Sequence, residues 1–363
     1  MKDIYRIFAL FMLGVLLFAN TNVKAGNDDR RGTSGAGSLL INPWARSAGW
    51  GGVNTACGMG VDALFSNVAG LGRISGTEIN LSYNNWLQNS GIGVSAFGIG
   101  QNLGEYGVLG LSVTSMSFGL TDRTTTLSPE TGKNGTFSIS NMNIGVSYAK
   151  AFSTSIFGGA TVKVINEGID NVTATGFAID AGIQYVTGQD YEIKFGISLK
   201  NWGPAMSYSG DGLSVSAIYG SSNHSQSVEQ RSQEYEIPSS LNIGASYDFL
   251  FAENTHRLTV AGNFAAMAFS KDQYTLGLEY GFGKIFMLRS SYTYEDGITK
   301  SIYDSDAGST TLYSGFAAGA SIIAPLSKPK KNDSKGVNLS IDYAYRLTKV
   351  AGGIHTIGLV LSL

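Results

Sequence analysis

The sequence predicts an all-β fold: a transmembrane antiparallel β-barrel of about 14 strands with an N-terminal Gly-rich plug or hatch segment in its lumen. Three observations predict it. From Thr77 onward, apolar residues recur at every second position, the period of a strand with one apolar and one polar face. Charged residues make up 14%, against roughly 25% in soluble domains, while Gly numbers 48 and Pro only 6, which suits ladders that need every N–H. Finally, the chain opens on a secretion-like segment and carries no later apolar run long enough for a spanning helix.

Residues 1–25 read as a signal peptide. Lys2 and Arg6 precede an apolar run from Ile7 to Ala19, and Val23-Lys24-Ala25 fits a small-x-small cleavage site before Gly26. The run is short for a membrane anchor. The lone Cys57 lies far from the cleavage site, which argues against a lipoprotein, and a single cysteine excludes a disulfide framework and a cysteine-rich metal site. Formal charge is −2, and losing Lys2, Arg6, Lys24 and Asp3 makes it −4, so nucleic acid is not an expected partner.

Residues 26–76 do not alternate and are expected to form a flexible N-terminus followed by a periplasmic or lumenal plug. Residues 26–38 are rich in Gly, Ser, Asp and Arg, and 39–74 are dense in Gly and Ala. Gly49-Trp-Gly51-Gly52 and Gly58-Met-Gly60 precede no helix-plus-acid pattern, so they are read as packing positions of a hatch, not as a nucleotide loop.

Residues 77–363 form the expected barrel. Strands are predicted near 77–87, 91–100, 105–118, 137–149, 154–167, 174–187, 191–202, 238–251, 256–267, 273–282, 285–295, 313–325, 337–347 and 353–363. The alternation is clean in Phe177, Ile179, Ala181, Ile183 and Tyr185 against Gly176, Ala178, Asp180, Gly182 and Gln184. Short connections at 101–104, 150–153, 188–190, 252–255 and 283–284 contrast with long polar ones at 119–136, 203–237 and 296–312, the asymmetry of periplasmic turns and extracellular loops. An even strand number places both termini in the periplasm and the chain in the cell outer membrane, in contact with its lipid. Ser327 to Gly336 breaks the rule as a long basic turn on the periplasmic side. A soluble β-sandwich or β-helix is the alternative, but it normally carries more Pro-bearing turns and more surface charge.

Tyr83 and Trp86, Tyr292 and Tyr294, and Tyr343 and Tyr345 lie near strand ends and are expected in interfacial girdles. Lys163, Glu167, Asp180, Glu279, Asp342 and Arg346 are expected to face the lumen, pair across it and brace the plug. His224, His256 and His355 show no metal-ligand spacing, and no nucleophile elbow occurs, so no catalytic, cofactor or metal site is expected. A passive porin is disfavoured because a hatch would occlude the lumen.

Asn42-Pro-Trp-Ala-Arg-Ser-Ala-Gly-Trp-Gly-Gly52, followed by Val61-Asp-Ala-Leu-Phe-Ser-Asn-Val-Ala-Gly-Leu71, resembles the N-terminal signature of the PorV/PorQ family, a branch of the FadL-like outer-membrane barrels. Arg46, Gly49, Gly51, Gly52, Asp62, Ala63, Asn67, Ala69, Gly70 and Leu71 fit the pattern, and Val68 replaces its usual Pro. Ile144 to Lys150, Ile169 to Asp180, Lys200 to Pro204, Asp342 to Tyr345 and His355 to Gly358 resemble family strands, so the similarity runs over 39–363. Thr356 to Leu363 is similar to the terminal assembly signal of barrels, with Leu in place of the final aromatic. The resemblance implies a 14-stranded barrel with a lumenal N-terminal segment. It also implies a binding role in the type IX secretion system of Bacteroidetes: docking beside the SprA/Sov translocon barrel, accepting C-terminal signal domains of exported cargo and passing them to surface attachment. The long loops, with Tyr208, Tyr219, Tyr235 and Tyr303, would then face cargo. The alternative is a FadL-like transporter of hydrophobic small molecules, with Leu64, Phe65 and Leu71 forming an apolar pocket between hatch and wall.

Overall fold

The structure is a computed structural model that describes residues 26–363, except 131, 220–223, 254, 284, 301–307, 328–335 and 351. Strands β1 (Thr77–Trp86), β2 (Ile92–Asn102), β3 (Val108–Asp122), β4 (Thr136–Ala151), β5 (Ile156–Ile169), β6 (Val172–Thr187) and β7 (Ile193–Trp202) form the first half of the wall. The second half consists of β11 (Ser240–Phe251), β12 (His256–Met267), β13 (Gln273–Phe282), β14 (Phe286–Glu295), β15 (Tyr313–Pro325), β16 (Asn338–Thr348) and β17 (Ile354–Ser362). Each wall strand pairs antiparallel with its neighbours in sequence, β7 pairs with β11, and β1 with β17 closes the cylinder. The fold is therefore a closed 14-strand antiparallel barrel, and the soluble sandwich is excluded.

All fourteen predicted strands are present. Between β7 and β11 the predicted loop also holds β8 (Tyr208–Ser209), β9 (Ser214–Tyr219) and β10 (His224–Glu229). Of these, β9 and β10 pair only with each other, as a projecting hairpin. The long connections 123–135, 203–239 and 296–312 lie at the end opposite Thr77 and Leu363, alongside short turns such as 170–171, and with one exception the connections at the terminus end are short. The exceptional basic connection lies at the terminus end: β15 ends at Pro325, β16 begins at Asn338, and Leu326 N–H donates to the Val337 carbonyl at 2.8 Å, so both strands are correctly placed. Most of that connection, the expected signal peptide 1–25 and Tyr303 lie outside the described residues.

The wall is inverted relative to a soluble protein. Val146, Phe177, Ile183, Phe195, Leu276, Ile341 and Ile357 all face outward and are half exposed or more. Such a continuous apolar band exceeds what soluble monomers show and matches a lipid-facing surface. Inward positions are mostly small or polar, with Val94, Met116, Ile165 and Val186 as larger apolar exceptions.

Residues 39–74 lie within the cylinder. The sequence lacks any long helical period there, and only short pieces form: α1 (Ala45–Gly49), α2 (Ala63–Ser66) and 3-10 turns at Gly37–Leu40, Gly60–Asp62 and Val68–Arg73. Trp44, Val61, Leu64, Leu71 and Ile74 pack on Ala96, Val108 and Ala149 of the wall, and Trp50 with Val53 packs on Ala261. Glycines in the wall make room for these bulky groups. A Cβ at Gly98 would lie 2.9 Å from the Trp44 ring, and one at Gly277 would lie 2.6 Å from Trp50 Nε1.

Candidate functional site: the plug and the cavity beside it

The motif residues of the plug mostly hold it to the wall. Arg46 on α1 reaches in two directions: its Nε lies 3.5 Å from Asp62 Oδ2, and its Nη2 lies 3.4 Å from Asp342 Oδ2 on β16. Asn80 on β1 donates to Asp62 Oδ1 at 2.9 Å. Asp62 is deeply buried, and that burial, opposed by Arg46 and reinforced by Asp342, pushes its carboxyl up to about 7. Asn67 Nδ2 faces three carbonyls, Thr55 at 2.9 Å, Ile183 at 3.1 Å and Ile197 at 3.3 Å, while its Oδ1 accepts from Ala69 N–H. The last two carbonyls belong to β6 and β7, so one side chain ties the plug to both strands. Gly49 backs onto Gly319 of β15, and a Cβ at Gly70 would come 2.1 Å from the Gly58 carbonyl. Gly51 and Gly52 take positive φ (63° and 77°) to turn the chain after α1.

Two of the three expected pocket formers, Leu64 and Phe65, together line a small cavity of about 40 Å³ between plug and wall. Leu64 and Leu71 are also buried in the apolar contact there. Phe65 is only partly buried and lines a cavity of about 630 Å³ on the loop side of the plug. Ile41, Asn42, Gly51 and Gly52 form its plug surface, and Trp86, Phe118, Lys200, Asn263, Tyr313 and Arg346 contribute from the wall. Trp86 therefore faces the lumen, which corrects the girdle expectation. It lies three residues from Tyr83, so strand parity puts the two on opposite faces. Tyr83, Tyr292, Tyr294 and Tyr343 do face outward.

A bulge builds the aromatic corner of this cavity. The β15–β16 register shifts between Tyr313 and Ala317, with Gly315 at φ 100°. Tyr313 meets Trp86 edge to face at 6.1 Å, and the Arg346 guanidinium stacks 3.5 Å over the Tyr313 ring. The buried Glu295 carboxylate accepts hydrogen bonds from Ser309, Thr310 and Thr311, which fixes the segment leading into Tyr313. Lys200 Nζ lies 3.6 Å from the centre of the Phe65 ring. A second cavity of about 420 Å³ opens at the terminus end, lined by Arg46, Met59, Arg73, Glu78 and Leu363 among others.

The expected lumenal charges are inward, but they pair differently from the expectation. Lys163 meets Asp180 of the next strand at 2.5 Å, Lys194 bonds Asp248 of the next, and Glu279 lies between Arg257 and Arg289. Glu167 accepts from the hydroxyls of Tyr208 and Tyr235. These contacts brace neighbouring segments of the wall and loop, not opposite sides of the lumen. Among the described residues, Asp342 alone of the expected charges pairs with the plug, and Arg346 meets no carboxylate. No group of three or more His, Cys, Asp or Glu residues that could hold a metal occurs among the described residues.

A closed 14-strand antiparallel barrel with a folded N-terminal segment in its lumen has the architecture of FadL-like outer-membrane barrels. The toluene transporter TodX of Pseudomonas putida is similar over 89% of this chain and 98% of its own, with a TM-score of 0.54 and 12% identity. A TodX deletion variant described as a monoaromatic hydrocarbon channel matches over 88% and 97%, with a TM-score of 0.53 and 14% identity. A FadL homologue from Pseudomonas aeruginosa matches over 88% and 97%, with a TM-score of 0.50 and 10% identity. At these identities the likeness establishes the fold. The similar structures are described as channels and transporters, not enzymes. No family model and no curated protein matches the sequence. The PorV/PorQ resemblance therefore rests on the motif residues themselves.

Proposed function

We propose that the chain is an outer-membrane uptake barrel, with termini in the periplasm, that takes hydrophobic small molecules from outside the cell into the cavity above its plug. The carrying observation is that cavity: about 630 Å³, on the loop side, with Phe65, Trp86, Phe118 and Tyr313 among its lining residues. The descriptions of the similar barrels as toluene and hydrocarbon channels support the same reading. Passage to the periplasm requires the plug to loosen from the wall, which it grips through Arg46, at the edge of the terminus-end cavity, and Asn67. The test is uptake of radiolabelled aromatic compounds by cells with and without the gene. Slower uptake in the deletion strain, restored by the intact gene, is expected; equal rates for every compound would overturn the reading.

A second reading is a PorV/PorQ-like partner of type IX secretion. Two observations favour it: the motif residues Arg46, Asp62, Asn67 and Gly70 all take structural positions in the plug, and the β9–β10 hairpin projects with unpaired outer edges. Such an edge suits addition of an extended strand from the C-terminal signal domain of a cargo protein. Co-purification of the tagged barrel with a SprA/Sov-type translocon barrel tests it, and recovery of the barrel alone would count against it.

A further inference from the structure

The inward-facing cations of the wall strands, taken with Arg46 of the plug, fall into two groups. Arg73 at the terminus end and Arg31, which also lines the loop-side cavity and donates to the Gly308 carbonyl, stand outside them. Arg46, Lys163, Lys194, Arg257 and Arg289 each meet a carboxylate within 4 Å. Among the described residues Lys200 and Arg346 meet none; each lies against an aromatic ring instead, Phe65 and Tyr313 respectively. Both line the loop-side cavity, and no Asp or Glu is among its described lining residues. A charge held in a part-enclosed site without a counter-ion is costly, and a ring face offsets only part of that cost. An anion entering the cavity would therefore gain charge-assisted hydrogen bonds at no expense in broken ion pairs.

The rest of the lining limits the body of that anion. Phe65, Trp86, Phe118, Phe269 and Tyr313 supply ring faces, which suit a planar aromatic group. Ser240, Asn242, Thr275 and Thr310 already bond within the wall and loop, but Asn263 Oδ1 on the same lining is buried without a partner among the described residues, and a long alkyl chain would leave it so. We propose that the cavity is a binding site for compact aromatic carboxylates that carry further hydrogen-bonding groups, with Arg346, beside Tyr313 and Trp86, holding the carboxylate and Lys200 adding positive potential from β7 on the other side of the lumen. This rests on the reading of the cavity as a ligand site and specifies the charge and shape of the ligand.

The probes are 4-hydroxybenzoate and its uncharged counterpart 4-hydroxybenzyl alcohol, titrated into the purified full-length barrel in detergent by calorimetry. The benzoate binds at least tenfold more tightly, and Arg346→Met removes about tenfold of that affinity and Lys200→Met a smaller part, while both leave the alcohol unchanged. Arg346→Lys retains part of the preference, and an unchanged heat-shifted gel mobility shows that each variant folds. Equal affinity for the two probes, or benzoate binding indifferent to both methionine variants, overturns the proposal and leaves the uptake reading standing. Binding of neither probe, together with normal uptake of neutral aromatics by cells, likewise overturns the proposal alone. Binding of neither, with no uptake of any aromatic, overturns both.

Discussion

Arg46 and Asp62 show how single residues set the behaviour of the plug. Asp62 is shared between one guanidinium and one amide, and burial raises its carboxyl from the ordinary 3.8 to about 7. A carboxyl whose folded value is raised binds its proton more tightly folded than unfolded. It therefore contributes most below about 4, and that contribution is lost as pH rises toward 7. The melting temperature of the barrel in detergent is expected to fall between pH 5 and pH 8, and Asp62→Asn is expected to flatten that dependence, since an amide oxygen can still accept from Asn80. An unchanged slope in the variant would place the titration elsewhere. Residue types here were readable in advance, but partners were not. Lys163, Asp180, Glu279 and Asp342 were identifiable as inward by parity, whereas their pairing depends on strand stagger, which no local pattern encodes. Arg346 follows the same parity, yet the bulge at Tyr313–Ala317 gives it a ring and not an acid.

Among the elements, the contact between plug and wall is built from a polar anchor and small wall residues. Gly196 of β7 and Gly244 of β11 face each other in register, and a Cβ at Gly196 would come 2.3 Å from the Thr55 carbonyl. Asn67 sits beside this glycine floor and serves the Ile183 and Ile197 carbonyls. Asn67→Ala leaves those buried acceptors short of a donor, at a cost of about 2 kcal/mol. The expected readout is a lower unfolding midpoint and faster proteolysis within 39–74; unaltered protection of the plug would show that Asn67 is dispensable. The strands were legible because their period of two is imposed by burial on one side and lipid on the other. The short helical turns of the plug were not, because their geometry follows the wall and not their own sequence. The same limit applies to Leu64 and Leu71. Their apolar character was clear, but nothing local distinguishes a residue that lines a cavity from one that seals a contact.

At the scale of the whole molecule, the lumen is a stoppered space with a cavity on each side. The intact barrel in a planar bilayer is expected to show little steady conductance, and removal of residues 39–74 is expected to open a stable channel, provided gel mobility confirms that the cylinder has formed. Large conductance in the intact protein would mean that the plug does not block the lumen. Strand number and loop asymmetry were legible in the sequence because they are sums over many weak local signals. The cavity was not, because its rim joins Phe65, Trp86, Lys200 and Tyr313 from four distant segments. The β1–β17 seam carries a consequence for passage. The plug directly precedes the first stave, and Glu78 of that stave pairs with Ser362 of the last. Trp44 and Trp50 interlock with Gly98 and Gly277 on well-separated staves, so the seated plug is keyed to the wall on more than one side. The hoop that closes at this seam therefore grips its own stopper, and a solute that passes has to slacken that grip without drawing the stopper out.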